Sequence, residues 1–131
     1  MTDAKTANVL LAHGSRDPKW QQPFESMLES IRQQGQVTTN NSKAEAVVEL
    51  AYMELCQPSL EDTCEKLAKQ GYTLIHIYPV FFAAGKHLRI DVPAQLQNIE
   101  AELSISTQLH PPIGQDHRVQ TAITQVILQQ L

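Results

Sequence analysis

Apolar residues are arranged along the chain in two alternating ways, as short continuous runs and as longer stretches with helical spacing. Asn8–Ala12 is an aliphatic run closed by His13, Gly14 and Ser15, which predicts a buried strand entering a loop. Asp17-Pro18 then pairs an N-cap residue with proline at the first helical position. Trp20, Phe24, Met27, Leu28 and Ile31 follow on a single helical face. Gly35 ends that helix, and a polar turn is predicted over 38–42.

Ala44–Met53 is a second apolar segment of strand length. Pro58 starts a second helix, with Leu60, Cys64, Leu67 and Ala68 turned inward and Gly71 as its stop. Tyr72–Phe82 is too continuously apolar for a one-sided strand, which predicts burial on both faces, as in a parallel sheet. A loop follows over 83–87. A third helix is predicted over roughly 89–103, with Leu96, Ile99 and Leu103 on one face. A short strand over 104–109 runs into Pro111-Pro112, and a last amphipathic helix from Asp116 to Gln130 carries Val119, Ala122, Ile123, Val126 and Ile127. Strand and helix alternate four times with no repeat and no linker. The pattern predicts one α/β domain over 1–131, a four-stranded parallel sheet flanked by helices on both faces.

Composition narrows the class. A length of 131 residues suits one ordinary domain, and 42% hydrophobic residues suffice for a core. Ten Lys and Arg against fourteen Asp and Glu give a charge of −4, with no basic cluster, which argues against a nucleic-acid partner. The apolar runs are too short to span a bilayer, and the first residues carry no secretory apolar stretch, so a cytoplasmic protein without a membrane partner is expected. Cys56 and Cys64 are eight apart and match no zinc or redox motif.

Ligands of open α/β sheets bind beyond the carboxyl ends of the strands. His13 follows the first strand, Glu54 the second, and His87 lies in the loop after the third. Two imidazoles and a carboxylate from neighbouring loops suit a divalent transition metal with coordination positions left open. Each also has a plainer reading: His13 as a loop-bracing imidazole, Glu54 as a solvated carboxylate, His87 as a surface residue beside Lys86 and Arg89. His76, inside an apolar strand, reads as a hydrogen-bonded core histidine, and His110 and His117 as structural or peripheral. Gly14 stands alone, so neither a dinucleotide fingerprint nor a phosphate-binding loop is present, and no organic cofactor is expected. Ser15 lacks the nucleophile-elbow pattern.

Four stretches taken together carry a family resemblance: Leu10–Pro18, Leu50–Pro58, Tyr78–His87 running on to Pro93, and Pro112–Arg118. In this order they resemble the short-form CbiX-type sirohydrochlorin chelatases of the class II group. The resemblance implies a chelatase-like fold and insertion of a divalent ion, most simply Co²⁺ and otherwise Fe²⁺ or Ni²⁺, into a sirohydrochlorin-type tetrapyrrole on the way to cobalamin or siroheme. Longer relatives carry two such units, so a homodimer is implied, with the cleft beside the subunit interface. His13 and His87 match the metal-binding and catalytic histidines, His13 also as proton acceptor, and Glu54 matches an acidic position near the metal. Phe82, Ala83, Ala84, Gly85 and Lys86 match the loop against the macrocycle, and Gln57 matches a substrate-contact position. Arg16, Lys86, Arg89 and Arg118 fall in the matched loops, where cations suit the substrate's carboxylates.

Three positions depart from the family pattern: Ala12 where glycine is frequent, Gln57 where glutamate is common, and Ala84 where many relatives have a polar residue or histidine. They keep a second class open, a non-catalytic metal or tetrapyrrole carrier with the same fold. A third class, a histidine phosphatase-like enzyme, is opposed by Ala12, because those enzymes place arginine directly before the His-Gly pair.

Overall fold

In the computed structural model, residues 5–39 and 42–131 are described, with His87 and residues 37–39, 42 and 43 described by their backbone alone. Strands β1 (Thr6–Ala12), β4 (Val48–Tyr52), β5 (Leu74–Pro79) and β6 (Ser106–Leu109) form the main sheet. Its order is β4-β1-β5-β6, and every pairing is parallel. The chain runs from β1 outward to β4 and then crosses back over β1 to β5, so the strand order reverses beside β1. In doubly wound sheets that reversal opens a crevice at the strands' carboxyl ends.

Two apolar layers follow from strand alternation. Ala7, Val9 and Leu11 of β1 and Ile75 and Ile77 of β5 face helices α2 (Leu60–Lys69) and α3 (Val92–Leu103), and this layer is densely buried. Leu10, Ala12, Val48, Leu50 and Tyr52 face the opposite way, toward Phe24, Leu28 and Ile31 of α1 (Pro18–Gln34). That second layer is thinner, and no residue of α1 is fully buried.

Local chemistry fixes the helix starts, at Asp17 as the sequence indicated and at Ser59, just past the Pro58 to which the sequence pointed. The Asp17 carboxylate accepts from the Lys19 N–H, and Ser59 Oγ accepts from the Asp62 N–H, each taking up an orphan donor of the first turn.

The structure departs from the sequence pattern at four places. The polar turn over 38–42 falls within an antiparallel pair, β2 (Gln36–Thr39) with β3 (Ser42–Glu45), and residues 40 and 41 lie outside the described residues. The segment 44–53 is consequently divided between β3 and β4. The third helix is preceded by a π-helical turn, His87–Asp91, with Pro93 in the first turn of α3. Burial along β5 alternates, with Ile75, Ile77 and Pro79 inside and Leu74, His76 and Tyr78 only half-buried. The last helix, α4 (His117–Leu128), explains this: it does not lie on the sheet, and every residue from Gln120 to the C-terminus is exposed.

Candidate metal-insertion site

Sheet register brings the first site residues together. Ala12 pairs with Tyr52, and the Met53 N–H donates to the Ala12 carbonyl at 2.8 Å, so the chain after β1 and the chain after β4 leave the sheet side by side. His13 and Glu54, 41 residues apart in sequence, thereby meet: His13 Nδ1 is 3.2 Å from Glu54 Oε1. Gly14 makes the approach possible, because a Cβ there would collide with the Glu54 carbonyl.

Further contacts hold the imidazole. The Val80 N–H donates to the Leu11 carbonyl, carrying the β1–β5 pairing past Pro79. Phe81 then lies flat against His13, with ring centroids 4.3 Å apart and planes at 26°. Trp20 Nε1 donates to the His13 carbonyl at 2.8 Å, tying the loop to α1. With Nδ1–H donated to the carboxylate, the lone pair resides on Nε2, the atom left to take a metal or a proton. The pair is open to solvent, with side chains 51% and 43% exposed for His13 and Glu54.

His87 opens the π-helical turn after β5, and its side chain lies outside the described residues. Among the described residues, no three His, Cys, Asp or Glu side chains converge as a metal-holding group. Arg16 and Lys86 are exposed on the loops after β1 and β5, and Arg89 is exposed in the π-helical turn. Phe82 is 65% exposed beside Ala83, Ala84 and Gly85. Ala84 and Arg89 line a separate cavity of about 320 Å³ with Leu109, His110 and Pro112. Gln57 turns back locally, its Oε1 accepting from the Ser59 N–H. Arg118 is taken up by Asp116, with Nε and Nη2 donating to the carboxylate at 3.0 and 2.9 Å. Those bonds hold the Asp116 carboxyl at about 2, below its ordinary 3.8.

Phe81 and Trp20 are the site residues that sequence reasoning passed over. Strand parity offered a signal for Phe81, which shares the inward face with Ile75, Ile77 and Pro79. Trp20 gave none, since its partner is a backbone carbonyl. His76 is hydrogen-bonded as expected, but half-buried, with Nδ1 2.8 Å from His110 Nε2. Cys64 is buried, which pushes its thiol up to about 12 and leaves it inert.

The sequence profile of the CbiX family matches residues 7–130. The chain belongs to the CbiX family. Among CbiX relatives, the sirohydrochlorin cobaltochelatase of Methanopyrus kandleri is 37% identical over 90 residues, covering 69% of this chain and 57% of that protein. A crystal structure of a cobalamin biosynthesis CbiX protein from Marinobacter aquaeolei superposes with a TM-score of 0.79 at 36% identity, covering 95% of this chain and 96% of that one. The sirohydrochlorin chelatase SirB of Bacillus subtilis subspecies spizizenii, solved in complex with cobalt, gives 0.78 at 28% identity. There the match covers 95% of this chain but 50% of SirB, so this CbiX chain spans about half the length of that relative. Among the described residues, no helix is long and apolar enough to cross a membrane.

Proposed function

We propose that this chain is a sirohydrochlorin metal chelatase, working in the cytoplasm as a homodimer of one chelatase unit per protomer, with Co²⁺ as the first candidate ion. One observation carries the reading: an exposed imidazole at the sheet's crevice, held at Nδ1 by Glu54 and against the Phe81 ring, with Nε2 unbonded among the described residues. Metal insertion needs such a group. The pyrrole N–H protons must leave as the ion sheds water, and a neutral imidazole can take either a proton or the ion near neutral pH.

Few protein ligands are an advantage here, because the ion must pass on to the macrocycle. His13 Nε2 and, from the turn after β5, His87 would hold it loosely while the Glu54 carboxylate orients His13 and offsets the ion's charge. Phe82 and the small residues Ala83–Gly85 offer a flat apolar surface to a planar ring. Arg16, Lys86 and Arg89 supply donors for its carboxylates, and Gln57 a neutral one at the margin.

The test is metal insertion into sirohydrochlorin followed by absorbance, with Co²⁺, Fe²⁺ and Ni²⁺ offered separately. Multiple turnovers above the spontaneous rate, abolished in His13→Ala, are expected. Rates no greater than spontaneous with every ion overturn the enzyme reading, and stoichiometric binding without turnover establishes a carrier instead.

A further inference from the structure

Leu55 combines two features that a leucine in a surface loop has no structural reason to combine. Its φ is +69°, in the left-handed region where a Cβ crowds the backbone and glycine is favoured. Its side chain is 58% exposed and, among the described residues, joins neither apolar layer of the sheet. Ser104, also at positive φ, has an ordinary reason for that conformation, because it ends α3.

The conformation at Leu55 is held from both sides. The Cys56 N–H donates to the Glu54 carbonyl at 2.9 Å, closing a three-residue turn of the rare, strained kind with Leu55 at its centre. The same Glu54 carbonyl lies against Gly14, where no Cβ fits, so the turn has no room to relax toward β1. Glycine at position 55 would take up this backbone without steric cost. A side chain that strains its own backbone and joins no apolar layer gains nothing from folding. Its gain lies in a contact outside the chain.

The position of the turn identifies that contact. In the sheet order β4-β1-β5, the loops after β4 and β5 stand on either side of His13. Glu54 holds the Nδ1 edge of the His13 ring and Phe81 holds its face. Leu55 and Phe82 each follow one of those two residues, and each projects a large apolar side chain into solvent. Apolar groups on both sides of one imidazole suit a ligand that is broad, flat and apolar on its faces. A tetrapyrrole has that shape, with its carboxylates at the rim.

We infer that Leu55 is a substrate-contact residue, seating the macrocycle over His13 from the side opposite Phe82. The inference rests on the chelatase reading above and adds a residue that reading does not use.

Leu55→Gly tests it, because the change removes the side chain and relieves the backbone at once. Trp20, the single tryptophan, is bonded to the His13 carbonyl, so its fluorescence quenching reports binding of metal-free sirohydrochlorin. Urea unfolding, Co²⁺ titration and mass by light scattering are measured beside it. The dissociation constant for sirohydrochlorin is expected to rise about 10-fold or more, as for loss of a buried leucine contact. The urea midpoint should stay or rise, with Co²⁺ affinity and mass unchanged, and Leu55→Met should bind within about threefold of wild type. Wild-type sirohydrochlorin affinity in the glycine variant overturns the inference. So does a lower urea midpoint, a matching loss of Co²⁺ affinity or a change of mass, which would assign the side chain to packing, to positioning Glu54 or to a subunit contact. A wild type that binds no sirohydrochlorin overturns the chelatase reading itself.

Discussion

His13 Nδ1 lies 3.2 Å from Glu54 Oε1, and this contact between two strand ends converts two isolated polar residues into an oriented pair. Neither residue is buried, so the carboxylate acts by fixing the imidazole's tautomer rather than by a strong electrostatic pull through a dry interior.

Glu54→Gln keeps an acceptor for the His13 N–H but removes the charge. Co²⁺ affinity and insertion kcat/KM are each expected to fall by about 10- to 100-fold, the usual effect of losing a carboxylate behind a metal-binding histidine. Cobalt titration followed by visible absorbance, beside insertion kinetics, checks this. Unchanged affinity would reduce Glu54 to a solvated bystander.

Phe81 combines packing and positioning, since its ring contacts both the buried layer and the His13 imidazole. Phe81→Leu should retain most of the stability, with a loss near 1 kcal/mol, while Phe81→Ala costs about 3 kcal/mol. Both should slow insertion, because neither restores the flat surface. Urea unfolding beside insertion kinetics separates the effects, and a Leu variant as active as wild type would refute the positioning role.

Gly14→Ala forces the loop after β1 away from Glu54. A stability loss of about 1–3 kcal/mol is expected, together with loss of insertion activity, because the same displacement opens the His13–Glu54 pair. The thermal midpoint and insertion rate, measured on one preparation, should fall together. A variant that keeps both would mean that the loop adapts freely.

The His76–His110 contact predicts an effect of pH on stability. Burial, with His76 alongside, lowers the His110 pKa from 6.5, so the folded state favours the neutral ring. As pH falls below 6.5 the unfolded chain takes up its proton first. Stability therefore declines through the window between 6.5 and the lower folded value, and levels off beneath it. Urea midpoints between pH 5 and 7.5 should show that decline, and His110→Gln should flatten it. Identical slopes in the two proteins would contradict the assignment.

The alternation of short apolar runs with helical faces was enough to identify the four parallel strands and the helices between them. Strand-buried residues such as Val9, Leu11, Ile75 and Ile77 announce themselves by type and run length. The positions of His13 and Glu54 beyond strand ends were equally legible, because a polar residue after an aliphatic run marks the sheet's edge. Their meeting was not. It depends on the β1–β4 register and on a glycine whose missing Cβ lets two backbones touch, and both are relations between segments 41 residues apart. The Trp20 bond to a backbone carbonyl and the Phe81 stack are likewise tertiary. The continuous apolarity of β5 predicted cover on both faces, and the amphipathic spacing of α4 predicted a helix with a buried stripe; the sequence by itself determined both requirements. Only the tertiary structure decided that the described residues of one chain do not meet both, because the turn held by the Gly114 N–H on the Phe81 carbonyl directs α4 away from the sheet.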